Sequence, residues 1–219
     1  MLKKFFGLDR PSTLIEGAFR DIAGMLQQAG RMLDHSLAVL LDNRETELDL
    51  ESMDDEIDEA ERMVRRSILE HLNVSPKQDL VASLILSSIV QEAERIGDFA
   101  RGLPKIAALA KEPRVGPFAD DLRSLAMRVR ALFDQCDEAF REGDAEMARA
   151  LMLTHRELKV ELNHYIDRVA NSDLTADMAL VYGISATMLR RISSHLSNIV
   201  STVNQPFDRI RHYGGGDIT

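Results

Sequence analysis

The chain has 219 residues, 45% apolar and 29% charged, which suffices for a buried core and excludes a disordered or membrane-spanning composition. A net charge of −9 argues against general nucleic-acid binding, which needs a basic face. The single cysteine, Cys136, allows neither an internal disulfide nor a thiolate metal cluster, so a reducing cytoplasm is expected.

The opening stretch Met1–Leu8 is too short for a secretory h-region and lacks a cleavage site; Lys3, Lys4, Phe5 and Phe6, in the N-terminal segment 1–11, are expected to tuck onto the protein rather than graze a membrane. From Ile15 the apolar positions Ile15, Ala18, Ile22, Met25, Ala29 and Met32 predict a long amphipathic helix closing near Asp42–Asn43. A second helix is expected from about Thr46 to Leu72. Its start is unusually acidic: Asp42 to Glu61 holds eleven carboxylates and one arginine, more than a helix dipole asks for. Ser75–Pro76 then reads as the cap of a third helix, Lys77 to about Lys111, with Pro104 kinking or thinning its last turns. Pro113, Gly116 and Pro117 break the chain.

A fourth helix carries Leu122, Leu125, Val129, Leu132, Cys136 and Ala139 on one stripe, with Cys136 as a core residue. Gly143–Asp144 ends it and caps a fifth helix reaching Ala170; a sixth runs from Ala176 to about Val203. The order is three helices, a break, and three helices again. The expected fold is all-α: two tandem three-helix bundles over residues 12–112 and 117–205, followed by a flexible tail at 206–219.

The repeat can be followed residue by residue. Aligning helices three and six sets Leu84 against Leu180, Ile96 against Ile192 and Leu103 against Ile199; in helices two and five Ile57 falls against Leu158. The apolar skeleton is kept while the charges are not. Glu94 and Asp98, one turn apart on one helix face, and Asp54 and Asp58 at the same spacing could present four carboxylates to one spot. That is oxygen-rich chemistry suited to a hard or borderline cation. Their counterparts are Arg190 and Ser194, and His155 and Lys159. The first 112 residues accordingly carry 21 acids and 14 bases, the remainder 15 and 13. Gly97, costly inside a helix, suggests that something approaches its backbone closely. Arg95 could pair with the acids, as the plainer reading of a solvated acidic face requires, but a surface pair is too weak to neutralise four of them.

Asp54-x-x-Ile57-Asp58-x-x-Glu61 on one helix and Glu94-Arg-Ile-Gly-Asp98 on the next resemble the PhoU family of phosphate-transport regulators. The resemblance covers residues 12 to 205 and diverges in the second repeat. It implies two three-helix bundles, no enzymatic activity, and a cytoplasmic regulator acting at the inner face of the membrane. The implied partner is a membrane phosphate transporter or its sensor kinase. It also implies a divalent or ferric ion (Fe, Mn, Mg, Zn or Ni) on Asp54, Asp58, Glu94 and Asp98. A homodimer is compatible with this reading, and nucleic acid is not an expected partner. The departures at His155, Lys159, Arg190 and Ser194 make a second carboxylate cluster unexpected.

His155, Lys159, Arg190 and Arg191, with His195, form a candidate anion patch; the plainer and favoured expectation is ordinary bases paired with acids such as Glu157 and Glu161. Two other functional classes stand beside the regulator. A carboxylate-bridged metalloenzyme needs Glu-x-x-His on two helices, and only Glu161-x-x-His164 is present. A metal-free helical adaptor would present its acids to a basic partner.

Overall fold

Ser12 opens the first helix by accepting the Ile15 N–H on its hydroxyl. In this computed structural model, which describes residues 12–45 and 47–204, that helix, α1, spans Thr13–Asp42. The expectations for the N-terminal residues and the tail lie outside the described residues. Asn43 adopts a left-handed backbone (φ 54°), the conformation that stops a helix.

α2 (Leu50–Val74) starts later than expected, because Asp49 rather than the Thr46 region caps it, accepting the Ser52 N–H at 3.0 Å. Only six of its residues are buried, so it rides on the bundle by a narrow stripe. α3 (Leu80–Ala107) also departs from expectation at both ends. Ser75 closes α2 instead of opening α3, and the next residues form a turn ending at Asp79. The reason is tertiary: the Asp79 carboxylate accepts the Ser12 N–H at 3.0 Å, tying α1 to α3, and His71 reaches the Gln78 carbonyl at 2.9 Å. Pro104 sits in the last turn of α3, which ends at Ala107.

The second half repeats the plan with α4 (Pro117–Glu142), α5 (Ala145–Ala170) and α6 (Ala176–Asn204). Asp144 caps α5 by accepting the Glu146 and Met147 N–H groups. Each trio packs on itself, and α3 against α6 and α1 against α4 join the halves. One apolar cluster runs through both, including Cys136, so the repeats share a core. Arg114, in the connection between them, donates to the carbonyls of Val39, Leu40 and Ala107. One guanidinium thus satisfies helix ends from α1 and α3 that would otherwise be orphaned. Among the described residues, no helix is long and apolar enough to cross a membrane.

Candidate functional site: an acidic face and its basic counterpart

α2 and α3 lie side by side because Gly97 removes a side chain at their crossing. A Cβ there would meet Ile57 Cδ1 at 2.9 Å and Asp54 Oδ1 at 3.5 Å. The group approaching this glycine is the neighbouring helix, and that approach carries Asp54 inward.

The four expected carboxylates come to one face, and two of them, Asp54 and Asp98, close on a cation that the motif spacing did not single out. Arg101, one turn beyond Asp98, places Nη1 2.6 Å from Glu51, Nη2 2.8 Å from Asp98 and Nε 3.0 Å from Asp54. Lys105 completes the group at 2.6 Å from Glu51. Arg95 is exposed and is not the neutralising residue; the geometry assigns that role to Arg101. The Asp98-x-x-Arg101 spacing was the available signal, and Glu51 had none until the helices were docked.

Arg101 does not reach every acid. Burial, and then Asp98, Glu61 and Asp58 beside it, push the Glu94 carboxyl up to about 7, and it shares a side-chain hydrogen bond with Asp98. Asp54 is buried, and this desolvation raises it to about 6 despite Arg101. The face therefore holds two groups: Glu51, Asp54 and Asp98 gathered on Arg101, and beside them Asp58, Glu94 and Glu61, the last paired with Arg65 at 2.7 Å. Among the described residues, no three His, Cys, Asp or Glu side chains converge in a geometry ready to hold a metal ion.

The second repeat reproduces the frame with other residues. Ser193, the counterpart of Gly97, sets its Oγ 3.1 Å from Nδ1 of His155, the counterpart of Asp54. Burial, followed by the nearby Lys159 and Arg156 charges, lowers the His155 pKa to about 4, so the ring is neutral at neutral pH. Position 101 becomes Ser197: with the acids gone, so is the arginine that held them. His195 departs from the patch: its Nδ1 donates to the Glu92 carboxylate of α3 at 2.8 Å across the repeat interface. The expected pairing with Glu161 is also corrected, since that carboxylate is engaged by Arg128 of α4. His164 is exposed beside it.

The PhoU domain model matches residues 22–103, which include all four carboxylates. Residues 22–103 are thus similar to a PhoU domain. Its fold is similar to the phosphate transport system regulatory protein PhoU from Streptococcus pneumoniae, at 15% identity and a TM-score of 0.77 over 86% of this chain and 92% of that one. It is equally similar to PhoU from Pseudomonas aeruginosa, at 20% identity and a TM-score of 0.77 over 87% and 95% of the two chains. No curated protein sequence matches it. The PhoU domain match stops before the second repeat, the half in which the acids are replaced.

Proposed function

We propose that this protein is a non-enzymatic cytoplasmic regulator of phosphate transport, docking onto a membrane transporter or its sensor kinase. One observation carries the reading: the segment matched as a PhoU domain is the one whose α2 and α3 gather Asp54, Asp58, Glu94 and Asp98 on a single face. The fold of the phosphate-transport regulator from S. pneumoniae supports it.

A divalent or ferric ion on this face is part of the proposal. The donors suit it: they are all carboxylates, crowded enough that Glu94 holds its proton near neutrality. Asp58, Glu94 and Asp98 are the readiest ligands, and Asp54 would join by leaving Arg101. Such an ion would supply charge neutralisation and a bridge to acidic groups of a partner. The apolar core already closes the fold, so the ion is exchangeable and not structural.

Phosphate uptake by a strain lacking the gene, grown with abundant and with scarce phosphate, tests the regulatory role. Uptake or polyphosphate content should be disturbed in the deletion and restored by the wild-type gene. Unchanged uptake in both regimes contradicts it.

A further inference from the structure

We infer that the second repeat is an oxyanion site, built from Lys159 of α5 and Arg190 of α6 and suited to a phosphate group. The inference stands on the charge and geometry of this half alone and survives if no metal binds the first.

Placement comes from the packing of α5 on α6. These helices run antiparallel, with His155 against Ser193 and Val169 against Gly183. Lys159, one turn beyond His155, is therefore level with Arg190. The first repeat confirms the pairing, because the equivalent Asp58 and Glu94 are close enough to act on one another. Lys159 and Arg190 thus occupy the positions that the acidic pair holds in the other half.

Neither cation is neutralised. Positions three and four residues from Lys159 are His155, Arg156, Leu162 and Asn163; those around Arg190 are Ala186, Thr187, Ser193 and Ser194. No carboxylate lies within a helical turn of either on its own face. Among the described residues neither makes an ion pair, whereas Arg101, Arg123, Arg128, Arg130, Arg141 and Arg168 all do. The Arg190 Nε is moreover buried with no hydrogen-bond partner. A buried guanidinium N–H without an acceptor is costly, and an oxygen from a bound anion satisfies it.

In the repeat alignment Asp58 and Glu94 correspond to Lys159 and Arg190, whereas Asp98 corresponds to Ser194, Asp54 to the neutral His155 and Arg101 to Ser197. With His155 neutral, the two cations carry two positive charges, matching the hydrogen phosphate dianion. Arg191, the exposed next residue on α6, adds positive charge to this half. The hydroxyls of Ser193 and Ser194 donate to the Arg190 carbonyl, so their protons are spent within that turn and the anion is left to the two cations.

Calorimetric titration of the full chain with sodium phosphate, at ionic strength held constant with sodium chloride, tests this. Wild type should bind saturably at one site, and Lys159→Gln and Arg190→Gln should each weaken binding at least tenfold. Arg190→Lys should keep part of it, and Arg66→Gln, an exposed change on the first repeat, all of it. Thermal melts of each variant confirm that it is folded, and the lysine variant serves as the folded comparison if Arg190→Gln is not. Pyrophosphate in a parallel titration separates the ligand sources: tighter binding, lost in the same variants, assigns the site to the phosphoryl group of a larger molecule. Heat no greater than that of chloride for both anions, or binding unaffected by either glutamine variant, overturns the proposal.

Discussion

Phe99 of α3 and His195 of α6 stack across the repeat interface with ring centroids 5.7 Å apart, and in the repeat alignment they are the same position. Two equivalent residues in mutual contact place the pseudo-twofold axis between them. The flanking contacts obey it: Glu92 with Asn198 on one side corresponds to Met188 with Gly102 on the other. One arm is a buried carboxylate taking hydrogen bonds from His195 and Asn198; the other is a methionine lying over a glycine.

This asymmetry makes His195→Phe informative. It leaves the buried Glu92 carboxylate short of one partner and should cost about 1–3 kcal/mol in urea unfolding. Combining it with Glu92→Met should recover part of that loss, since no buried carboxylate is then left short of a partner, although Asn198 loses its acceptor. Additive losses in the double variant would show that the pair is not coupled.

Glycines in this helical protein have opposite roles, and alanine scanning should separate them. Gly24 on α1 has no atom within 4 Å of an added Cβ, so Gly24→Ala should stabilise by up to ~1 kcal/mol through helix propensity. Gly97→Ala meets Ile57 and should destabilise by about 1–2 kcal/mol after the propensity gain. Ile57→Val removes the offending Cδ1, so the double variant should be more stable than the sum of the singles. Thermal melts of the four proteins decide this.

The six helices and their internal repeat were legible because apolar spacing was kept in both halves, from Ile57 and Leu158 to Ile96 and Ile192. Helix ends were less so. Asp79, tied to Ser12 from 67 residues away, moved the start of α3, and no local rule contains that contact. The carboxylate face was legible from its i,i+4 pairs. Arg101 was not, because its three acidic partners include Glu51, which meets it only once α2 docks on α3.

Arg101 is expected to matter more at high pH. Asp54, raised to about 6 in the fold, takes up a proton on folding, so its contribution is present at low pH and fades as pH rises through 6. Arg101→Met removes the cation facing it, leaving a buried carboxylate that must ionise alone in alkaline solution. The partial exposure of Arg101 moderates the loss to roughly 1–3 kcal/mol at pH 8. At pH 5, with Asp54 protonated, the loss should be clearly smaller. Equal losses in melts at the two pH values would contradict this.

His155 has the opposite sign. Its pKa, lowered from 6.5 to about 4, makes its contribution complete above pH 6.5 and progressively lost as pH falls toward 4, at most roughly 3 kcal/mol. Because Asp54 and Glu94 gain stability over the same interval, the effect should be read as a difference between wild type and His155→Gln. Wild type should lose more stability than the variant between pH 7 and 4.5. Parallel curves would mean that the buried ring does not titrate as described.

The most direct measurement is a titration of chelator-treated protein with Mn, Fe and Zn salts, wild type beside Glu94→Ala/Asp98→Ala, following bound metal and released protons. The gathered acids predict saturable binding by wild type, proton release from Glu94 between pH 6 and 8, and loss of binding in the variant, with helicity unchanged by chelation. Wild type and variant remaining equally metal-free would contradict the reading of this face as a cation site.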